Sequence, residues 1–160
     1  MKVLFLDVDG VLNSNACRSE LSGGGYLDEE KVKLLSRVVR RTGSVVVLHS
    51  GWRFWFTEAM EPARREAAGL LALLTKYGVG LYGKTPDFST PEVKKTKRFS
   101  LVKASEILSW LRNHDNVENY LVLNDLDLHS KQLEKHQIRT DSETGFSDED
   151  VSRAIELLGT

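Results

Sequence analysis

The chain has 160 residues, of which 41% are hydrophobic and 28% are charged. This composition argues against intrinsic disorder, and the length suits one compact domain over residues 1–160. The formal net charge of −1 excludes a global attraction to nucleic acid or to an anionic membrane. Cys17 is the only cysteine, which excludes an internal disulfide framework and a zinc site made of cysteines.

The apolar run near the N-terminus extends only from Val3 to Leu6. It is shorter than a signal-peptide core of about 7–15 residues, and no apolar stretch approaches the roughly 20 residues that cross a bilayer. We therefore expect a cytosolic protein without a membrane partner, in agreement with the single thiol. The sequence does not specify an oligomeric state.

Short apolar runs alternate with segments of helical periodicity along the chain. The first predicted elements are a strand at 3–6, a loop at 11–27, a helix between Asp28 and Gly43, and a strand at 45–48; the glycine triplet at 23–25 in the loop is a hinge, a flap or a plain connector. They are followed by a helix at about 57–77 with a break near Pro62, a strand at 79–82, and a polar surface loop at 83–100. The last predicted elements are a helix at about 104–113, a strand at 120–123, a weak strand at 137–139, and a final helix that starts with a capping box at 147–150.

This alternation predicts an α/β fold, a three-layer Rossmann-like parallel sheet with helices on both faces. In such sheets the functional site lies beyond the carboxyl ends of the strands. Asp7, Ser50 and Asp125 each come just after a predicted buried strand. We therefore expect these three polar side chains to converge in space.

Asp7 and Asp9 flank Val8 at the end of the first strand. Two carboxylates this close raise one another's pKa unless a cation neutralises them, and oxygen ligands suit Mg²⁺. With Asp125 the sequence predicts a magnesium site. A carboxylate there can attack phosphorus, while Asp9 exchanges protons with the leaving oxygen and with water. The alternative for Asp-x-Asp alone is an exposed acidic turn.

The residues after the second strand offer further binding groups. The Ser50 hydroxyl and backbone N–H groups can hold a phosphoryl oxygen, and Gly51 permits a close backbone approach, although Ser-Gly is also a common turn. Arg53 either clamps a substrate phosphate or forms a structural ion pair. The aromatic residues in 52–56 either line a substrate site, for example by stacking on a base, or pack in the core.

The basic run at 94–98 either contacts a nucleic-acid backbone or is a solvated loop. The histidines lack metal-ligand spacing and are interpreted as structural or surface residues. Neither feature by itself decides a function.

The segment 4–12, LFLDVDGVL, resembles motif I of the haloacid dehalogenase (HAD) superfamily, an apolar strand followed by D-x-D-G-x-L. The segment 46–50 is similar to motif II, Lys103 to motif III, and the segment 121–125 to motif IV. Residues 50–53, 103–111 and 140–146 are also similar to a compact HAD subgroup. Relatives of that subgroup occur as phosphatase-like modules associated with RNA repair.

The resemblance implies a role for each matching residue. Asp7 would be the nucleophile and a metal ligand, and Asp9 the general acid and base with its backbone carbonyl on the metal. Ser50 and Lys103 would bind the phosphoryl group, and Asp125 would be the third protein ligand to Mg²⁺. The expected activity is hydrolysis of a phosphomonoester.

Two positions leave these roles open. Lys84 competes with Lys103, although a helix N-terminus aimed at the site favours Lys103. Asn124 stands where the family commonly has an acidic residue, which would lower metal affinity unless Asp127 compensates. The alternative function is therefore a HAD-fold binding or regulatory module with little turnover, and a further one is phosphate transfer to an acceptor other than water.

Little of the chain is left for a cap over the site. We therefore expect a minimal cap or none, and an open site that accepts a bulky or polynucleotide phosphate rather than a small metabolite.

Overall fold

The computed structural model describes residues 1–14 and 27–160. Cys17 and the glycine triplet at 23–25 lie outside these ranges. The described residues form a five-stranded sheet in the order β3-β2-β1-β4-β5, and every pairing is parallel. The strands are β1 (Lys2–Leu6), β2 (Val45–Leu48), β3 (Leu81–Lys84), β4 (Asn119–Asn124) and β5 (Gln137–Arg139).

Helices cover both faces of this sheet, which confirms the predicted three-layer α/β architecture. The α-helices are α1 (Glu29–Thr42), α2 (Arg65–Lys76), α3 (Pro91–Thr96), α4 (Ser100–Arg112), α5 (Lys131–Glu134) and α6 (Asp148–Leu158). Leu4 and Leu6 of β1 belong to a core with residues of α1, α2 and α6. Val3 and Phe5 belong to a second core with residues of α4 and α5, because successive strand side chains point to opposite faces.

Helix caps confirm three predicted helix boundaries. Asp28 accepts a hydrogen bond from Glu30 N at the start of α1, and Gly43 ends that helix in the left-handed conformation. At the start of α6, Ser147 and Asp150 form the predicted capping box. These ends are encoded by local side chains, which is why the sequence alone located them.

The predicted helix at 57–77 is wrong in its first half. Residues Gly51–Trp55 form a 3₁₀ helix, and Phe56 then pairs with Pro62 in an isolated antiparallel bridge. Met60 has a φ of 61°, a left-handed conformation that an α-helix excludes. The turn around Met60 reverses the chain, so α2 begins only at Arg65.

Other boundaries also differ from the prediction. Strand β3 begins at Leu81 rather than 79, because Val79 N still bonds to Leu74 O at the end of α2. The predicted surface loop at 83–100 contains α3, which Thr90 caps. Helix α4 begins at Ser100 rather than 104, and α5 was not predicted.

The insert between β3 and α4 is small and carries only the six-residue helix α3. This agrees with the minimal cap that the sequence suggests at this point of the chain.

None of the helices in the described ranges has both the length and the apolar composition needed to cross a membrane.

Candidate active site

The three central strands end at one edge of the sheet, and the candidate site lies there. Asp7 N bonds to Leu123 O, and His49 N bonds to Leu6 O, so the strand pairing continues one residue past β1 and β2. A pocket of about 330 Å³ opens at this edge. The residues lining it include Asp7, Asp9, Gly51, Arg53, Lys103 and Asp125.

Asp7 lies at the base of the pocket and is only 5% exposed. Burial raises its pKa to about 6, the ammonium of Lys103 opposes this shift, and Asp125 adds to it. Lys103 Nζ lies 3.8 Å from Asp7 Oδ1. Burial also raises the pKa of Asp125. The structure therefore brings the carboxyl groups of Asp7 and Asp125 together, as the strand-end argument predicted, and places the Lys103 ammonium beside Asp7.

Asp9 is exposed, and its carboxylate is held in place by two donors. Asn13 Nδ2 donates to Asp9 Oδ1 at 2.9 Å, and the indole Nε1 of Trp52 donates to Asp9 Oδ2 at 3.3 Å. Asp9 thus has a fixed orientation although it faces the solvent. This arrangement suits a group that exchanges protons with a bound molecule and with water.

Gly10 allows the loop after β1 to pass close to Asp125. Its φ of +81° favours glycine, and an added Cβ would lie 2.3 Å from Asp125 Oδ2. The buried hydroxyl of Thr140 donates to Gly10 O at 2.7 Å and fixes the loop from the other side. Packing at Gly10 therefore controls where the Asp125 carboxylate lies.

Ser50 and Gly51 begin the 3₁₀ helix that follows β2. Ser50 is 1% exposed, and its Oγ accepts a hydrogen bond from Trp52 N at 3.1 Å. Gly51 is exposed and lines the pocket, and a Cβ there would meet no atom within 4 Å. Protein packing therefore does not require glycine at this position, and any need for it would come from a bound molecule.

The two candidate lysines occupy different places. Lys103, in the first turn of α4, is buried beside Asp7. Lys84 Nζ instead donates to Phe56 O at 2.8 Å and lies 3.6 Å from a carboxylate oxygen of Glu58. The geometry supports Lys103 as the lysine of the site.

Arg53 forms a buried ion pair with Glu106, one of the two alternatives for this residue. Its Nη2 donates to Glu106 Oε2 at 2.9 Å, and both side chains are almost completely buried. The remaining guanidinium bonds go to four backbone carbonyl groups, those of His49, Ser50, Thr85 and Pro86. These contacts leave little capacity for a substrate phosphate, so Arg53 is a structural element of the pocket wall.

His49 is buried next to the site and is uncharged, in line with its interpretation as structural. Its Nε2 lies 3.3 Å from Leu123 O, so this nitrogen carries the proton, and Nδ1 has no partner in the part of the chain that the structure describes. Burial lowers the pKa of His49 well below 6.5, and the charge of Lys103 adds to the effect.

We expect His49 to make the protein less stable in mild acid. Below pH 6.5 the unfolded chain binds a proton at this residue and the folded chain does not, so stability is lost as pH falls. The loss is at most about 1.4 kcal/mol per pH unit, the limit for the uptake of one proton. Urea unfolding at several pH values would measure it, and His49→Gln should remove this component. An identical pH dependence in both proteins would contradict the assignment.

A family model described as the HAD domain in Swiss Army Knife RNA repair proteins matches residues 3–151. The chain belongs to this HAD family. The match covers β2 to β5, nearly all of β1 and the first turn of α6, and it confirms the resemblance seen in the motifs. Searches among curated proteins and among solved structures found no significant match. Membership indicates a hydrolase or phosphatase of the HAD superfamily.

Asn124, which stands where the motif resemblance leads us to expect an acidic residue, is not among the residues that line the pocket. It is completely buried, and its Oδ1 accepts a hydrogen bond from Leu126 N. Asp127 lines a different depression together with His129 and Arg139, which argues against a compensating role for it at the pocket. The aspartates that line the pocket are Asp7, Asp9 and Asp125, and the fourth carboxyl group, on Glu106, is paired with Arg53.

The carboxylates of the pocket fit Mg²⁺, but the ion would need further oxygen ligands from backbone carbonyl groups, water or a bound phosphate. Within residues 1–14 and 27–160, no three His, Cys, Asp or Glu side chains form a group that could hold a metal by themselves. Mg²⁺ usually retains several waters and is bound through one or two carboxylates plus substrate phosphates. Asp7 and Asp125 supply two such carboxylates. When both are ionised, their combined charge of −2 is larger in magnitude than the +1 charge of Lys103.

Sequence reasoning missed three residues that organise the HAD site. Asn13 and Trp52 hold Asp9, and Glu106 holds Arg53. Only Glu106 carried a usable signal, because it follows Lys103 by three residues on a helix and must lie on the same face. The contacts of Asn13 and Trp52 depend on how the loops after β1 and β2 meet.

Proposed function

We propose that this HAD domain is a magnesium-dependent phosphomonoester hydrolase that works through an aspartyl-phosphate on Asp7. The observation that carries the proposal is a buried carboxylate next to a buried ammonium, with Lys103 Nζ 3.8 Å from Asp7 Oδ1. A carboxylate nucleophile can attack phosphorus, and the nearby cation reduces the repulsion between them. The second carboxyl group, on Asp125, supports metal binding at the same edge of the sheet.

The reaction would proceed in two steps. Asp7 Oδ forms a bond to phosphorus while the bond from phosphorus to the ester oxygen breaks, and Asp9 gives that oxygen a proton. Asp9 then takes a proton from water as the water oxygen attacks phosphorus, which releases phosphate and restores the Asp7 carboxylate. The contacts of Asp9 with Asn13 and Trp52 would keep it oriented in both steps.

Each remaining site residue would hold the phosphoryl group or the metal. Lys103, the Ser50 hydroxyl and the backbone at Gly51 would contact the phosphoryl oxygens. Asp7, Asp125 and the Asp9 carbonyl would hold Mg²⁺. The bound ion would neutralise charge on the phosphoryl oxygens.

The substrate would be a bulky or polynucleotide phosphate. The pocket rim carries Lys97 and the partly exposed apolar residues Phe99 and Leu126, which can contact a large leaving group. The basic run at 94–98 leads to this rim and provides charges for a phosphate backbone. The description of the family, which refers to RNA repair proteins, agrees with such a substrate.

An aryl phosphate assay tests the proposed chemistry. We expect hydrolysis with Mg²⁺ and none after chelation. Lys103→Ala should reduce the rate about 10²-fold or more, because it removes a charge from the phosphoryl site. Lys84→Ala serves as the matched control and should retain most activity. A larger loss in Lys84→Ala would contradict the assignment of Lys103.

The same assay separates the enzyme from the alternative. If a broad panel of phosphates shows no hydrolysis while calorimetry shows magnesium binding, the domain is a binding module. Comparison of a phosphorylated oligonucleotide, a phosphopeptide and small sugar phosphates tests the open-site argument. A strong preference for the sugar phosphates would contradict it.

Gly10→Ala offers an independent test of the role of Asp125. The added Cβ should displace the Asp125 carboxylate, so we expect weaker magnesium binding and a loss of hydrolysis of about 10²-fold. Gly43→Ala is the matched control, since Gly43 also has a positive φ but has no atom within 4 Å of its added Cβ. It should cost about 1 kcal/mol of stability and leave hydrolysis unchanged. Equal activity of the two variants would contradict the role of Asp125.

A further inference from the structure

A second groove of about 560 Å³ lies next to the pocket of Asp7. Arg53 and Phe54 line both cavities, so the two spaces share a wall. Phe88, Thr85 and Asn113 are among the other residues that line the groove. None of the roles proposed above uses this space. A molecule with its phosphate near Asp7 could therefore extend across Phe54 into the groove.

The groove presents two aromatic side chains to solvent. Phe54 is 50% exposed and Phe88 is 42% exposed. The Arg53 guanidinium covers one face of the Phe54 ring, 4.4 Å from its centroid. Glu106 Oε2 accepts hydrogen bonds from Arg53 Nη2 and from Phe88 N. One buried carboxylate therefore links the guanidinium that covers Phe54 to the backbone of Phe88, and both aromatic rings border the groove.

The groove also contains polar groups suited to the edge of a planar ring. Thr85 lines the groove, and its buried hydroxyl has no hydrogen-bond partner within residues 1–14 and 27–160, a situation that costs free energy. Asp87 Oδ1 accepts hydrogen bonds from Ser89, and Asn113 Nδ2 donates to Ser109 O, so the groups that these two residues offer to a base edge are Asp87 Oδ2 and Asn113 Oδ1. The ammonium of Lys84 is already bonded to Phe56 O, so the groove offers no obvious second site for phosphate.

We propose that this groove binds the nucleobase of the nucleotide whose phosphate enters the Asp7 pocket. The proposal rests on the proposed function, because it takes the phosphate position from it. Exposed aromatic rings stack on the faces of bases, and polar groups can contact the edge of the same base. A nucleobase fits these features better than a sugar, which lacks the aromatic face, or a second phosphate, which would meet the Asp87 carboxylate.

Substrates with and without a base test the groove. We expect adenosine 5′-monophosphate or adenosine 3′-monophosphate to have a KM roughly tenfold below that of ribose 5-phosphate, within the range that base stacking provides. Phe88→Leu should remove this advantage and leave the hydrolysis of ribose 5-phosphate unchanged. Tyr82→Leu is the control, since Tyr82 is an equally exposed aromatic residue that lines neither cavity. This variant should keep the advantage.

The outcomes distinguish the groove from the catalytic proposal. Equal KM values for the nucleotides and ribose 5-phosphate, or an unchanged advantage in Phe88→Leu, would overturn the groove while leaving the hydrolase intact. An equal advantage for phenyl phosphate would overturn the nucleobase as the ligand. Calorimetry with adenosine 5′-monophosphate needs no turnover. Binding that Phe88→Leu weakens would support the groove even if no phosphate is hydrolysed, whereas no binding would overturn it.

Discussion

Asp7→Asn is expected to abolish magnesium-dependent hydrolysis, with a loss on the order of 10³-fold or more. The amide cannot form the phosphoryl-enzyme bond, and it removes one of the two carboxylates that the pocket offers to Mg²⁺. The variant keeps the size of the side chain and leaves Lys103 in place. Rates on an aryl phosphate at saturating Mg²⁺ measure the effect. Asp127→Asn, which changes an exposed carboxylate in another depression, is the control and should be fully active.

The same substitution should increase stability in the absence of divalent cations. The ionised Asp7 carboxylate is unfavourable where it lies, because burial raises its pKa to about 6. Replacement by a neutral amide should therefore stabilise the fold at neutral pH by about 1–3 kcal/mol. Added Mg²⁺ should then stabilise the wild type and have little effect on Asp7→Asn.

Thermal unfolding with and without Mg²⁺ measures both effects on stability. An inactive variant that is also less stable would indicate a structural role for Asp7. A variant that retains hydrolysis would rule out the aspartyl-phosphate. The combination of lost activity and gained stability is expected of a group that is kept for chemistry at a cost to the fold.

The arrangement of the site was predictable because it depends on few physical rules. Buried apolar runs mark the parallel strands, and parallel strands end at a common edge. Asp7 and Asp125, which are far apart in sequence, therefore had to lie together once both runs were recognised as strands. The pairing of β1 with β4 in register from Lys2 to Leu6 brings this about. The helix boundaries at Asp28 and Ser147 were predictable for a similar reason, since side chains close to each boundary in the sequence cap the helix.

The remainder depends on tertiary contacts that a linear pattern does not contain. The segment before α2 has helical composition, yet Phe56 pairs with Pro62 and Met60 takes a positive φ. The aromatic residues of this segment divide in the same way, since Trp52 is buried and Phe54 is exposed. The sequence does not distinguish one of these aromatic residues from another, and the turn of the 3₁₀ helix decides which ring faces the pocket.

Glu106→Ala is expected to destabilise the protein by about 3–5 kcal/mol, the cost of leaving one partner of a buried ion pair without the other. Burial lowers the pKa of Arg53 and raises that of Glu106, so both groups resist ionisation and depend on each other. The truncation also removes the acceptor of Phe88 N. Urea unfolding at pH 7 measures the change in free energy.

Glu30→Ala is the matched control for this effect. Glu30 pairs with Lys33 at the same distance of 2.9 Å, but both side chains are exposed to solvent. Exposed pairs contribute only about 0–1 kcal/mol, so this variant should be close to the wild type. A double-mutant cycle that combines Glu106→Ala with Arg53→Met then measures the coupling free energy between Arg53 and Glu106. If Glu106→Ala costs no more than Glu30→Ala, the carboxylate does not hold Arg53 in place, and the shared wall of the pocket and the groove must be stabilised by the backbone carbonyl bonds of Arg53 alone.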